Sequence, residues 1–247
     1  MRNKIKYIAC LCAVLFALSA QAEPANCGTN LQWELENDTL KLTSPDSSLK
    51  ARMTDAPWTS LYSTQIKAVT FPDSLTNITD WAFYGCTALT KITLPDSLKT
   101  IGSAAFYGCS ALSELRLTNV ETISSMAFYA CTNLTELTIP DSVTSIGVEA
   151  FKGCTSLSSV VCYPEIPPTL GVDAFANCAA NLDICTLFSL GSYKATNWND
   201  YDIHDCSDTP TDVEAVSTEG QPYKMIEDKH IIIIRNNEKY SIDGKKL

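Results

Sequence analysis

A five-residue phrase that ends in cysteine recurs five times in the middle of this 247-residue chain. Each copy reads Ala-Phe-x-x-Cys, and successive cysteines are separated by 23, 22, 23 and 24 residues. Self-similarity at a fixed period of this length indicates a repeat solenoid, in which each unit buries its apolar face only against its neighbours. The copies are Ala82–Cys86, Ala105–Cys109, Ala127–Cys131, Ala150–Cys154 and Ala174–Cys178.

An apolar pattern of the form Leu-x-x-Leu-x-Leu follows each of these cysteines, with a degraded copy after the last one. The final two apolar positions alternate with other residues, which is the side-chain period of a strand, so each unit is predicted to add one short strand to a parallel sheet. A Pro-Asp-Ser turn follows three of the strands, and apolar pairs spaced i, i+3 then predict a second extended segment or turn on the opposite wall. The recurring Phe is predicted to fill the core as a stacked column.

The unit from Leu94 to Leu115 reads Leu-Pro-Asp-Ser-Leu-x-x-Ile-Gly-x-x-Ala-Phe-x-Gly-Cys-x-x-Leu-x-x-Leu. It resembles the BspA-like class of leucine-rich repeat, which is found largely in surface and secreted proteins of bacteria and of some parasitic protists. The resemblance covers residues 61–188 and implies a right-handed coil with a parallel β-sheet, made mostly of β-structure and turns. It also implies a binding role, since members of the class are reported as adhesins toward host matrix proteins or other bacteria, and it implies no catalytic residues.

The ends of a solenoid need covers because a terminal unit lacks a neighbour on one side. Residues 23–60 are predicted to form the N-terminal cap. Within them, the apolar residues Leu31, Trp33 and Leu35 alternate with polar ones. Asn37-Asp38 separates this run from Leu40 and Leu42, as in a β-hairpin. The repeat domain is assigned to 61–188, as five to six repeats of 22–24 residues.

The chain after the repeats divides by composition into two further segments. Residues 189–219 are assigned to a C-terminal cap and an acidic linker, because 200–219 hold seven Asp and Glu and no Lys or Arg. Residues 220–247 are predicted to form a small β-hairpin around Asn236-Asn237. The ending from Tyr240 to Leu247 resembles the C-terminal sorting signal read by the type IX secretion machinery of some Gram-negative bacteria. A small terminal β-unit without that role is the alternative.

The N-terminal 22 residues have the pattern of a secretory signal peptide. A basic start is followed by an apolar run from Ile8 to Leu18 and by Ala20-Gln21-Ala22, a small-x-small cleavage pattern. The run is shorter than the roughly 20 residues a membrane-spanning helix needs. The chain carries a net charge of −10, and removal of the leader with its three basic residues leaves −13. An exported protein is therefore expected, on the cell surface, secreted or periplasmic, with no membrane-spanning segment after signal removal and no nucleic-acid partner.

The sequence offers no good candidate for catalysis, a cofactor or a metal. It has two histidines: His204 lies in the acidic segment and His230 begins the predicted terminal hairpin. Cysteines spaced a full repeat apart do not converge on one tetrahedral point, so a zinc site is not expected. An EF-hand starting at Asp200 would need Gly at the sixth position and Glu at the twelfth, where Asp205 and Thr211 stand. The sequence therefore predicts a protein that is not an enzyme.

Two faces are the candidate binding sites of the solenoid. Outward positions of the predicted strands form a small, polar face of mixed charge that includes Lys91, Thr93, Glu114, Arg116, Glu136 and Thr138. A second column, Tyr84, Tyr107 and Tyr129, follows the buried Phe, and aromatic residues make good anchors for protein or sugar. These faces predict a noncatalytic, adhesin-like module that binds an extracellular protein or glycan, with host matrix among the candidates. A structural or self-assembling surface component is the alternative.

Nine cysteines lie outside the leader, and five of them form the repeat column. Cysteine is a small and readily buried side chain, so these five are predicted to be free thiols in the core. An exported location also permits disulfides. The candidates for disulfide bonding are the four cysteines outside the repeat column, namely Cys27, Cys162, Cys185 and Cys206.

Overall fold

The computed structural model describes residues 25–46, 51–187, 190–206, 223–227, 230–235 and 238–241. The chain divides into two compact units, residues 1–203 and 204–247. The predicted leader, the Asn236-Asn237 turn and most of the segment that resembles a sorting signal lie outside the described residues.

The first unit is a β-solenoid with very little helix. In chain order its strands are β1 (Ala25–Thr29), β2 (Leu31–Glu36), β3 (Thr39–Thr43), β4 (Arg52–Met53), β5 (Ala68–Thr70), β6 (Asn77–Ile78), β7 (Lys91–Ile92), β8 (Thr100–Ile101), β9 (Thr122–Ile123), β10 (Glu136–Ile139), β11 (Ser145–Ile146), β12 (Ser159–Cys162), β13 (Thr169–Leu170) and β14 (Asp183–Thr186). Its helices are α1 (Thr59–Tyr62), α2 (Leu190–Lys194) and a 3₁₀ turn (Asn197–Asp200). A short strand, β15 (Ile203–Asp205), spans the boundary between the units.

The N-terminal cap is an antiparallel sheet in the order β4-β1-β2-β3. The predicted hairpin is β2 and β3, and its turn residues Asn37 and Asp38 both have positive φ, at 48° and 62°. Such a turn matches the twist of the two strands and favours Asn and Asp, which tolerate left-handed backbone. Strand β3 pairs in parallel with β5, with Leu40 opposite Val69, so the cap sheet continues directly into the solenoid.

The front wall of the solenoid is the predicted parallel sheet, with one strand in each turn except the turn that contains Glu114 and Arg116. Strands β3, β5 and β7 pair in sequence, and β10, β12 and β14 form a second parallel group. Between the groups the pairing is reduced to an isolated bridge between Lys91 and Glu114. This is the repeat that is one residue shorter than its neighbours, and its Leu115 and Leu117 still point into the core.

The back wall consists of two-residue strands in the order β13-β11-β9-β8-β6, all parallel. The first residue is half-exposed in four of these strands and exposed in β13, and the second is a buried Ile or Leu in all five. This arrangement confirms the second extended segment that the apolar pairs predict.

The third side of each turn is the Ala-Phe-x-x-Cys phrase, which folds into turns rather than strands. Backbone hydrogen bonds join every phrase to the next one, as from Phe106 N–H to Ala127 C=O at 2.7 Å and from Gly108 N–H to Tyr129 C=O at 2.8 Å. Two positions per turn have left-handed backbone, the residue before the Ala-Phe pair and the residue before the cysteine. The phrase thus satisfies its backbone groups across the stack without forming a regular sheet.

The phenylalanines of the phrases form the predicted stacked column in the core. Neighbouring ring centroids are 5.0 to 5.3 Å apart, with planes within 7° of parallel. Trp58 covers the first ring, Phe83, at 5.8 Å, and Trp198 covers the last ring, Phe175, at 6.0 Å. Both indoles are fully buried and donate their N–H to backbone carbonyls, Trp58 to Ala82 and Trp198 to Pro168.

The second unit contains a three-stranded antiparallel sheet. Its strands are β16 (Tyr223–Glu227), β17 (His230–Arg235) and β18 (Glu238–Ser241), in that order. The predicted terminal hairpin corresponds to β17 and β18, and β16 is an additional strand. His204, which the sequence places in an acidic linker, instead lies in the short strand β15, which begins with the buried Ile203. The acidic composition of the segment masks this strand in the sequence.

Candidate binding surfaces

The outward residues of the front wall form a continuous polar face. Lys91, Thr93, Glu114, Arg116, Glu136 and Thr138 are all exposed, as the sequence predicts for their positions. The residues between them, such as Ile92, Leu115 and Leu137, are buried because side chains alternate along an extended segment. The six predicted side chains therefore share one wall of the solenoid.

Charge on this face is partly neutralised within the face itself. Lys91 Nζ lies 2.8 Å from Glu114 Oε2, and the hydrogen bond and charge of Lys91 lower the pKa of Glu114. Within the part of the chain that the structure describes, Arg116 and Glu136 enter no ion pair. The other lysines within the repeats at 61–188, Lys67, Lys99 and Lys152, are each paired with a carboxylate. The charge of Arg116 also lowers the pKa of Glu114, to a smaller degree than Lys91 does, but Arg116 is the front-wall cation without an ion pair in the described residues.

The predicted tyrosine column exists, but its rings stack on each other. Tyr84 and Tyr107 have centroids 5.0 Å apart, and Tyr107 and Tyr129 have centroids 4.6 Å apart with planes 1° from parallel. Burial, followed by the neighbouring Tyr129 and Tyr84 and by Glu149, raises the pKa of Tyr107. The flat faces of the inner rings are therefore covered, and the column offers a partner mainly ring edges and hydroxyl groups.

Trp81 is an exposed aromatic that the sequence analysis did not single out. Its side chain is 53% exposed, its φ is 61°, and its ring lies 5.2 Å from that of Tyr84 at an angle of 54°. Its repeat position holds Ala104, Met126, Glu149 and Asp173 in the later turns. The signal in the sequence is a tryptophan at a position where the repeat accepts any residue.

The far end of the tyrosine column is charged. Lys152 occupies the next column position, and its Nζ lies 2.6 Å from Glu149 Oε1 and 3.0 Å from Asp173 Oδ2. The pKa of Lys152 is raised by its hydrogen bonds to these two carboxylates. This strip of surface therefore changes along the solenoid from aromatic at Trp81 to an ion-paired cluster at Lys152.

The cysteine column is buried and hydrogen-bonded. In four turns the thiol donates to the carbonyl of the phenylalanine in the preceding turn, at 3.2 to 3.3 Å, from Cys109, Cys131, Cys154 and Cys178. Burial raises the pKa of Cys86 to about 12 and that of Cys178 to about 11, and it holds the pKa of Cys109 and Cys131 well above the ordinary range. Protonated thiols of this kind act as structural donors and not as nucleophiles.

The predicted free thiols of the column are confirmed, because all five are unbonded to other cysteines. Of the four disulfide candidates, Cys185 and Cys206 are disulfide-bonded. Cys27 and Cys162 are free and buried in the core, so their assignment as candidates is corrected. Both serve as small apolar side chains in well-packed positions.

No cluster of three or more His, Cys, Asp or Glu side chains suited to a metal ion occurs among the described residues. In the same part of the chain, no helix has the length and apolar character needed to cross a membrane.

The chain belongs to the BspA type leucine rich repeat family. Residues 57–182, just over half of the chain, match this family in six copies. The matched copies include the Trp58 turn that precedes the first Ala-Phe-x-x-Cys phrase. No curated protein matches the chain.

Solved structures of bacterial leucine-rich repeat proteins have a similar fold. A leucine rich cell surface protein from Faecalibacterium prausnitzii shows 21% identity, covering 93% of this chain and 61% of that one, with a TM-score of 0.47. A leucine rich repeat protein from T. pallidum shows 21% identity over 71% of this chain and 95% of that one, with a TM-score of 0.45. The pneumococcal vaccine antigen PcpA shows 24% identity over 62% of this chain and 36% of that one, with a TM-score of 0.47. The chain thus spans less than two thirds of the F. prausnitzii protein.

Proposed function

We propose that this protein is an exported, noncatalytic recognition module that binds a protein or a glycan outside the cell. The observation that carries the proposal is the front wall, where Arg116 stands without an ion-pair partner between the exposed Thr93 and Thr138. Export is supported by the signal-peptide pattern of residues 1–22.

The front wall is suited to recognition because its outward side chains contribute little to folding. The core is built from the alternate, inward residues, and exposed ion pairs such as Lys91–Glu114 contribute only about 0–1 kcal/mol each. Arginine is enriched among the residues that dominate binding energy at interfaces. Glu136 lies in strand β10, and Arg116 follows Glu114, which bridges to Lys91 of β7. Both side chains are therefore held by backbone that pairs with a neighbouring turn, which lowers the entropic cost of binding.

The test is capture of purified partners by the immobilised mature chain, using a set of extracellular matrix proteins and a glycan array. For any partner captured through the front wall, the double variant Arg116→Ala/Glu136→Ala should bind at least about tenfold more weakly. The matched control is Lys99→Ala/Glu121→Ala, which removes one cation and one anion from the back wall. Equal loss in both double variants, or no loss in either, would remove the front wall from the proposal.

Self-assembly into a surface structure is the competing function. The covered ends of the aromatic column argue against growth through the solenoid core, because Trp58 and Trp198 occupy the positions where another turn would stack. Sedimentation of the mature protein over a wide concentration range should therefore give one monomeric species. A mass that rises steadily with concentration, with no foreign partner captured, would favour the structural role.

A further inference from the structure

We propose that Trp81 and Tyr84 form a subsite for a neutral sugar ring, so that one ligand class of the module is an uncharged oligosaccharide. This inference rests on the proposed function in one respect, that the protein recognises molecules outside the cell. It assigns the ligand to a different surface from the front wall.

Trp81 has no structural reason to be tryptophan. Its backbone is left-handed, at φ 61°, a conformation that costs an L-residue roughly 1–2 kcal/mol and is unusual for a bulky side chain. The same column position is filled by Ala104 and Met126 in the next two turns, so packing does not require an indole there. Each Ala-Phe-x-x-Cys turn has left-handed backbone at this position, so Trp81 is distinguished by its large, exposed aromatic side chain where the repeat requires none, and this points to a functional contact.

The flat face of the Trp81 ring is not covered by a parallel ring, unlike the faces of the tyrosine rings. Tyr107 is stacked on both sides by Tyr84 and Tyr129, whereas Trp81 is inclined by 54° to Tyr84. The next residue in the Trp81 column is Ala104, a buried methyl group, so no ring covers the indole from that side. More than half of the Trp81 side chain is exposed, beside the 43% exposed Tyr84.

The chemistry of the pair fits a sugar. An open aromatic face attracts the carbon-bound hydrogens of a pyranose ring through dispersion and the negative charge of the π-face. Tyr84 adds a hydroxyl group beside that face, and Tyr107 and Tyr129 repeat the group at each turn of the solenoid. Such a row offers donors and acceptors to the hydroxyl groups of successive sugar residues.

The charges around the strip favour a neutral ligand. Lys152, the cation of its column, is already held by Glu149 and Asp173. The whole chain has a net charge of −10, which repels uronic and sialic acids. A sulfated or carboxylated glycan would have no unpaired cation to meet on this strip within the described residues.

The experiment is calorimetric titration of the mature chain with neutral hexasaccharides of gluco, manno and galacto configuration and with a galacturonic acid hexasaccharide. We expect at least one neutral probe to bind and the acidic probe to bind at least about tenfold more weakly. Trp81→Ala should lower affinity for the neutral probe by at least about tenfold, and Trp81→Phe should retain part of it. The control Met126→Ala, at the same repeat position two turns away, should stay within about twofold of the unsubstituted protein. Thermal unfolding of each variant checks the fold.

The outcomes separate this inference from the proposed function. Failure of every neutral probe to bind, or equal binding by Trp81→Ala, would overturn the sugar subsite. The same holds if Trp81→Ala abolishes capture of a matrix protein while no sugar binds, since the strip is then a protein site. The front-wall variant Arg116→Ala/Glu136→Ala should keep sugar binding. If the unsubstituted protein neither binds a sugar nor captures any extracellular partner, the proposed function is overturned as well.

Discussion

At the scale of single residues, the cysteine of each repeat was predictable as a buried free thiol, but its hydrogen bond was not. Burial follows from the recurrence of a small apolar side chain at one position of a core pattern. The donor role depends on where the phenylalanine carbonyl of the preceding turn lies, about 25 residues away in sequence, and no local pattern encodes that distance. The thiol thus does more than fill volume.

Replacing Cys131 by Ala tests how much the buried, hydrogen-bonded thiol contributes to stability. Cys131 is fully buried and donates to Phe106 C=O at 3.3 Å, so Cys131→Ala removes both packing and a hydrogen bond and should lower the free energy of unfolding by about 2 kcal/mol. The matched control is Cys178→Ala, because that thiol makes the same bond in a half-buried position. Urea unfolding should show the smaller loss in Cys178→Ala. Equal losses of unfolding free energy in the two variants would mean that the depth of burial does not affect what the thiol contributes.

The residue before each cysteine provides a second test at this scale. Ala130 has φ 55°, where Gly85, Gly108 and Gly153 stand in other turns. Left-handed backbone costs an L-residue roughly 1–2 kcal/mol, so Ala130→Gly should stabilise the protein by about 1 kcal/mol and Gly108→Ala should destabilise it by a similar amount. A Cβ at Gly108 would meet no atom within 4 Å, so only backbone strain is involved. Unfolding midpoints that shift in the same direction would contradict this account.

A different glycine marks close approach instead of backbone strain. A Cβ at Gly102 would lie 2.5 Å from the backbone nitrogen of Asp80 in the preceding turn. Gly102→Ala therefore forces neighbouring turns apart, and we expect a larger loss than for Gly108→Ala, measured by the same urea unfolding. A loss no greater than that of Gly108→Ala would show that the turns adjust freely.

At the scale of elements, the two sheet walls were predictable from apolar spacing, whereas the third side and the C-terminal cover were not. Strands reveal themselves by alternation, as at Leu137 and Ile139 of β10. The turns of the Ala-Phe-x-x-Cys phrase are held by backbone hydrogen bonds to the next repeat, and backbone hydrogen bonds of this kind leave no alternating pattern of side chains in the sequence. Trp198 lies in a short 3₁₀ turn beyond the degraded last repeat, and only the folded stack shows that it completes the phenylalanine column.

Removing either terminal indole should loosen one end of the solenoid. In a repeat protein each turn contacts only its neighbours, so damage stays local. Trp198→Ala should lower stability by about 3–5 kcal/mol and speed amide exchange mainly in 159–187. Trp58→Ala is the matched variant and should speed exchange mainly in 68–101. Hydrogen exchange followed by mass spectrometry distinguishes these patterns, and uniform acceleration along the chain in both variants would refute local coupling.

At the scale of the whole molecule, the buried thiols make stability depend on alkaline pH. Unfolded thiols have a pKa of about 8.5. Burial raises the pKa of Cys27 and Cys86 to about 12, so the folded state keeps the protons that the unfolded state loses. This stabilisation is complete below about pH 8.5 and is lost as the pH rises toward the folded pKa.

We therefore expect the urea midpoint to be steady from pH 7 to 8 and to fall between pH 8.5 and 10. Each fully protected thiol contributes up to about 1.4 kcal/mol per pH unit in that window. The measurement is made under argon without reductant, which keeps the disulfide-bonded Cys185 and Cys206 intact. Cys86→Ala should show a shallower fall than the unsubstituted protein. A flat midpoint up to pH 10 would contradict the raised thiol pKa values.

The covered aromatic column also provides an optical probe of the solenoid. The chain has four tryptophans: Trp33 and Trp58 lie together at the N-terminal end, Trp198 lies at the C-terminal end, and Trp81 is on the surface. The core column between the ends contains phenylalanine alone. Emission from the buried indoles therefore reports on the two ends together, while far-ultraviolet dichroism reports on every turn. An early red shift in emission before the dichroism changes will reveal fraying from the ends inward.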